Sequence, residues 1–599
     1  MTCNIEHIKH KMRIYINDRT YTKWSFHNLE NNGVVDPADL PLPLQTINPV
    51  EHKLFCKDIL TVTSPTEYEV VYSSTKTNDK IAGVLILENN KTYGRTVNKK
   101  RLLYKCIPDD THLPVFLVPY ELKLGFSKFQ KNKYVVFKYD HWDEKHPHGI
   151  ITETIGDVDG LDTFYEYQLH CKSLHISLVE FNDATRKTLK QHTHQEYIDE
   201  IMRNHHHHQD HRHKHIFTID PPNSTDFDDG FSITQNNENN TTTVTIYIAN
   251  VYFWLETLSL WKSFSKRVAT IYLPDRRRPM LPTILSDSLC SLQENQTRFA
   301  FAVEIIIDNT TQTVSKTSPP VYKNVIINVA HNYRYDDTEL LHENQHYINM
   351  LNITQKMDKT VKTSHDLVSY WMIYMNKITG VYMAENKVGI FRATTYETAQ
   401  LATTPTTIPT DDQQQDRIEL LNEDTQRVIQ SWNNNIGKYV VFDEGVSLKH
   451  HMMDRQYIHI TSPIRRIVDL LNQMILCRQL KLVSLSQDAE TFLNSWIQQI
   501  EYINTSMRSI RKIQTDCELI NRCFTDPTII SREHVGVVFD KIVKNDGTRH
   551  YMVYLENIKL LSRIITHVDI PAYSTCKFSM FLFEDEYKTK RKIRLQIIE

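Results

Sequence analysis

Glycine is scarce in this chain, at 14 of 599 residues. No Walker A loop and no G-x-S-x-G elbow occurs, which excludes P-loop and α/β-hydrolase chemistry. Asparagine takes over turn positions, because it tolerates left-handed backbone angles. The nine cysteines contain no CxxC pair, so neither a zinc ribbon nor a disulfide framework is expected, and reduced thiols in a cytoplasmic setting fit best. The opening "MTCNIEHIKHKMRIY" lacks the apolar core of a signal peptide. No run approaches the ~18–20 apolar residues that span a bilayer, so no membrane partner is expected. Net charge is also lacking, at −3, so any surface for a polyanion must be local. "NKKRLLYK" (98–105), "RRR" (276–278) and "KTKRKIR" (588–594) are the candidates.

What is present is length and patterning. At ~150 residues per domain the chain is expected to hold about four domains. Residues 1–55 are polar and punctuated by Asn and Pro, and read as an extended leader. Short β-rich runs such as "YEVVY", "IAGVLIL", "LPVFLVPY" and "KYVVFKY" predict two small barrels, over 56–110 and 111–190. A histidine-rich stretch, 191–215, reads as a linker, and a mixed α/β region follows over 216–530. Residues 531–599 return to strands, with "NDG" as the turn of a hairpin.

The chemistry concentrates in "FTIDPPNSTDFDDG" (217–230). Asp220, Asp226, Asp228 and Asp229 stand there without a lysine or arginine among them. Gathered in a fold, they would repel one another unless a cation joined them. Hard oxygen donors suit Mg2+ or Mn2+ rather than zinc. A calcium EF-hand fails on spacing, because Gly230 falls at the fifth loop position and Asn237 at the twelfth. Far downstream, "TSPIRRIVDLL" (461–471) offers Ser462 as a helix N-cap and Pro463 at the first helical position. Arg465 and Arg466 would then lie in the first turn, which is poor for the helix and good for holding a phosphate.

Together with "YIANV", "YLPDRRRPMLPTILSDSLCSL", "VGIFR" and "HITSPIRR", the aspartate segment resembles the RNB family of ribonuclease II, ribonuclease R and the exosome catalytic subunit. The motifs occur in family order over about 215–520. The resemblance implies a multidomain α+β protein: a mixed α/β RNB catalytic domain flanked by small OB-fold β-barrels. Of these, the two N-terminal ones are cold-shock-like and the C-terminal one binds RNA. It implies that Asp220, Asp226, Asp228 and Asp229 hold Mg2+, with Mn2+ as a substitute, and that Asp228, Asp229 and Arg465 are catalytic. Tyr272, Tyr335, Arg466 and Tyr396 are the implied RNA contacts. The implied reaction is 3′→5′ hydrolysis of single-stranded RNA to nucleoside 5′-monophosphates, with two metals ~3.5–4 Å apart. Against the family pattern, Tyr247 and Asn250 replace a histidine and an aspartate, Ser224 and Gly230 stand at common alanines, and Ile467 replaces an aromatic residue. A catalytically weakened RNA-binding protein is therefore the alternative. The chain is expected to be a monomer and, with about 50 residues ahead of the first expected barrel, to lack the PIN domain that would dock it on an exosome. "HENQH" (342–346) matches H-E-x-x-H but has no third ligand nearby in sequence, so zinc is not expected there.

Overall fold

A computed structural model describes residues 11–598 apart from 65, 97–99, 123–129, 205–207, 394–416, 419, 435–436, 446–447, 451–454 and 545. Three curled five-stranded antiparallel sheets flank a larger mixed α/β unit.

The first sheet begins at Lys11, within the stretch expected to be a leader. Lys11–Ile16 alternates, with Met12, Ile14 and Ile16 buried, and such alternation puts one face of a strand on a core. It pairs with Trp24–Asn28 (Ile14 opposite Phe26) and with Ile59–Ser64 (Met12 opposite Leu60). The 1–55 leader is thus corrected, because its apolar alternate residues have a partner strand about 45 positions away. The second sheet runs through Ile81–Leu85, Leu102–Pro108, Phe116–Tyr120, Lys133–Tyr139 and Gly149–Asp157. The expected boundary at 110/111 therefore falls inside it. Phe55 of the first unit stacks on Phe116 of the second, and the two share one apolar core.

The segment expected to be a linker is also built in. His194–Asn204 is an amphipathic helix that buries Tyr197, Ile198 and Ile201. His208–Asp210 then pairs in parallel with Val321–Arg334. Five strands follow in the central unit: Ile216–Asp220, Asp229–Asn236, Thr241–Ala249, Thr297–Asp308 and Val321–Arg334. They pair in that order, and the last returns in parallel to the first, closing a barrel. Helices Ser364–Glu385, Ile467–Gln479, Gln487–Gln498 and Ile500–Thr525 pack around it. Every residue from Ile467 to Cys477 is buried. The polar ones in that run pin the helix: Asn472 exchanges hydrogen bonds with the Ile390 backbone, and Gln473 donates to Ala249 O.

The third sheet spans His534–Ile598, and its Val543/Arg549 pairing forms the "NDG" hairpin. Gly547 there has φ +79°, a conformation glycine adopts without strain. No helix among the described residues is long and apolar enough to cross a membrane.

Candidate active site

The barrel brings the aspartates to one end. Asp220 ends the first strand, and Asp229 opens the second, antiparallel to it. The intervening loop turns at Asn223, which has φ +67°. Gly230 sits so close to the neighbouring strand that a Cβ would meet Phe217 O at 3.3 Å.

Each carboxylate has a different environment. Asp228 is 3% exposed and accepts from the Ile464 N–H at 2.9 Å and from Arg465 Nε at 3.1 Å. Asp226 accepts from Arg277 at 2.8 Å, and the Tyr272 hydroxyl lies 3.5 Å from its other oxygen. Arg277 also pairs with Asp287. Among the described residues Asp220 and Asp229 make no ion pair, and a buried oxygen of Asp220 has no hydrogen-bond partner. No three of the four aspartates have ligand atoms within 4.8 Å of one another. Asp226 is tied to Arg277 and Asp228 to Arg465.

Burial pushes all four carboxyls upward, Asp228 to about 7, against the lowering pull of Arg465. Asp220 is raised by burial and then by the negative charge of Asp229. A pocket whose acids resist ionisation until a cation arrives has the electrostatics of a divalent-metal site. The donors are carboxylate oxygens with no imidazole or thiolate among them, which fits Mg2+ or Mn2+.

Arg465 is placed by backbone pairing. Thr270 N–H donates to Arg465 O, and Ile467 N–H donates to Val268 O. The same pairing positions the hairpin carrying Tyr272, a residue that is 41% exposed. The helix expected to start at Pro463 starts at Ile467 instead. The amides that would have begun it serve other groups: Ser462 N–H donates to Asp469, and Ile464 N–H donates to Asp228. Arg466 turns inward onto Asp469 at 2.9 Å, so of these two arginines it is Arg465 that hydrogen-bonds to the aspartate cluster. Tyr335 lies against His365, ring centroids 3.5 Å apart, and Asp229 and Asp220 help to raise its hydroxyl above the ordinary tyrosine range, after burial. Tyr396 lies outside the described residues.

The RNB domain family matches residues 208–362 and 330–482. The chain carries an RNB domain over this span. Ribonuclease R of Chlamydia pneumoniae is 32% identical over 152 residues, 25% of this chain and 22% of that protein. The DIS3-like exonuclease 2 of Schizosaccharomyces pombe is 27% identical over 234 residues, 37% of this chain and 24% of that protein. The chain thus aligns with about a quarter of the length of these relatives. In fold the likeness is wider. Mycoplasma genitalium RNase R, solved with ribose-methylated single-stranded RNA, superposes with a TM-score of 0.66 at 14% identity, covering 98% of this chain and 100% of that one. Yeast Ssd1, described as a pseudonuclease, superposes with a TM-score of 0.56 at 12% identity, covering 95% and 80%. The mixed α/β RNB core with flanking sheets resembling OB-fold barrels is therefore shared.

The departures from the RNB pattern are absorbed structurally. Tyr247 is buried, and its hydroxyl meets Ser232 at 3.0 Å and His211 at 3.2 Å. His211, from the histidine-rich stretch, is thus a core residue. Asn250 caps the helix Val251–Thr257 and donates to Asn324. Arg277 and His365 were missed by sequence reasoning. Arg277 sat inside "RRR", which read as a candidate surface for a polyanion. Instead Arg278 is buried against Glu166 and Asp275, and Arg276 reaches Glu166. "HENQH" spans the break between helices Thr338–His342 and Gln345–Met357, so its histidines do not share a helix face.

Proposed function

We propose that the chain is a 3′→5′ exoribonuclease that degrades single-stranded RNA to nucleoside 5′-monophosphates with a divalent cation, Mg2+ or Mn2+. The observation that carries this reading is the buried acid pocket, with an unpartnered Asp220 oxygen, set opposite an arginine fixed by Asp228. Asp220 and Asp229, which form no direct ion pair among the described residues, would hold the cation. The reading therefore favours one strongly held metal over two. When bound, the metal supplies Lewis-acid polarisation of the phosphate and lowers the pKa of a bound water.

The protein groups do the rest. Asp228 orients Arg465 through Nε and the Ser462 hydroxyl accepts from its Nη2, leaving Nη1 to meet charge that develops on the phosphoryl oxygens. Tyr272 offers a base-stacking face at the rim, and stacking is tolerant of sequence. Tyr335, near Asp220 and Asp229, is suited to contact a sugar hydroxyl, which would separate RNA from DNA. Lys592 and Arg594 over Phe583, and Lys91 and Lys105 over Tyr93, put cations on aromatic faces of two outer barrels. That is the composition of a single-strand track. The relatives named ribonuclease R and exonuclease support the same reaction class. The reading places the chain in the cytoplasm as a monomer.

A second reading rests on Arg277. By holding Asp226 it could leave the pocket too weakly acidic for turnover, giving an RNA-binding protein on the same fold. Digestion of a 5′-labelled single-stranded RNA in Mg2+, beside a matching DNA, decides between them. The enzyme produces a ladder shortening from the 3′ end on RNA alone, abolished by EDTA. Intact RNA that is retained in a gel shift refutes catalysis and favours the second reading.

A further inference from the structure

Away from the RNB pocket, Glu153, His170 and His175 have ligand-capable atoms within 4.8 Å of one another. Among the described residues no other histidine, cysteine or carboxylate group of three does so. We propose that these three side chains form a transition-metal site, best fitted to Zn2+, that fastens the second barrel to the helix behind it.

The local backbone assembles the triad. Glu153 stands at a register shift in the strand Gly149–Asp157, where Ile151 faces Phe137 and Glu153 faces Val136, leaving Thr152 as the extra residue. Such bulges re-aim side chains. His170 is in the last turn of the helix Leu161–Cys171. The chain then reverses through Ser173 at φ +55°, with Leu174 N–H donating back to Leu169 O at 2.8 Å. This helix-terminating turn lays His175 on His170, ring centroids 3.9 Å apart.

The donor atoms are left over in the manner a ligand needs. His170 is 3% exposed at its side chain, yet its Nε2 has no hydrogen-bond partner and lies 3.7 Å from Glu153 Oε2. His175 Nδ1 is likewise buried and unpartnered. Its other nitrogen, Nε2, is 3.4 Å from Glu166. A carboxylate on the far ring nitrogen fixes the tautomer that leaves Nδ1 as the metal donor. Tetrahedral zinc at ~2.0–2.1 Å from each ligand sets donors ~3.4 Å apart, close to the Glu153–His170 separation. Glu153 is half-exposed and gives the ion a way in. Lys80 and Arg267 lie close enough to oppose a cation, and Glu166 counters them. Two imidazoles, one carboxylate and an open fourth position match Zn2+ better than Mg2+.

The test uses the full chain with His205, His206 and His207 changed to asparagine, stripped of metal and returned to saturating Mg2+ so that the oxygen-donor pocket is filled. Co2+ is titrated with visible absorption as readout, and Zn2+ by calorimetry and melting. The expected result is one tight equivalent with tetrahedral Co2+ bands and a raised Tm. Glu153→Gln and His175→Gln are expected to weaken binding at least tenfold while melting with the parent in the metal-free state. Absence of tight binding in the parent, or an unchanged spectrum and stoichiometry in both variants, overturns the proposal.

Discussion

Asp228→Asn isolates the link between a buried carboxylate and Arg465. The substitution keeps the size of the side chain, and its amide oxygen can still accept from the Ile464 N–H. The amide nitrogen then faces Arg465 Nε, donor against donor, where the carboxylate now accepts at 3.1 Å. A hydrogen bond to a charged group contributes ~1.5–3 kcal/mol. Removing the negative charge also relieves a burial cost large enough to hold the Asp228 carboxyl at about 7. The two effects oppose each other in folding, so Tm is expected to change little. They do not oppose each other in catalysis, because Arg465 loses the group that aims it. Removal of one preorganised electrostatic donor costs ~2.7–4 kcal/mol, or about 10²–10³ in rate. The assay pairs initial rates on 5′-labelled RNA with a thermal melt. A rate within about threefold of wild type with an unchanged Tm would refute the role assigned to this contact.

Four further outcomes are expected. With folded-state carboxyl pKa values raised above the ordinary 3.8, Asp228 to about 7, the metal-free protein holds protons that its unfolded chain has released. Those groups therefore favour folding least above pH 7, and the gain in Tm from Mg2+ should grow between pH 5 and 8; a gain independent of pH would count against the site. Arg277→Ala leaves Asp226 and Asp287 unpaired; it should lower stability by ~2 kcal/mol without metal and tighten Mg2+ binding, measured by melts across a Mg2+ series. Tyr272→Ala should weaken single-stranded RNA binding by ~1–3 kcal/mol in an Asp228→Asn background, by fluorescence anisotropy, and leave Tm unmoved. Tyr247→Phe removes the hydroxyl shared by Ser232 and His211 and should cost ~1–2 kcal/mol in a urea titration, with RNA turnover retained.

The aspartate segment was legible in the sequence because its chemistry is local: a strand, a Pro-Asn turn and a second strand bring Asp220 and Asp229 together within ten residues. Arg465 was legible only through its motif, since the pairing that places it joins residues 268–270 to 465–467. Arg277 was not, because "RRR" reads as surface charge until long-range folding sets Asp226, Asp287, Glu166 and Asp275 around it. Three of the first barrel's five strands were missed for a related reason. "KMRIYI" is a six-residue alternation that signals a strand only once its partner at 59–64 is known. The helix after "TSPIRR" begins at Ile467, and the Ser462 and Ile464 amides meet Asp469 and Asp228, partners that capping patterns do not show.

The strand Val321–Arg334 closes the barrel by pairing Ile219 with Tyr333 and Asp220 with Arg334. Tyr335 is the next residue along. Barrel closure therefore acts as a ruler, fixing how far the aromatic contact stands from the acid it faces. A single residue inserted between His331 and Arg334 would advance Tyr335 by ~3.3 Å or flip the strand end to its other face. The spacing between Tyr335 and the acidic pocket is thus set by a count of backbone hydrogen bonds, and loops elsewhere can vary in length without disturbing it.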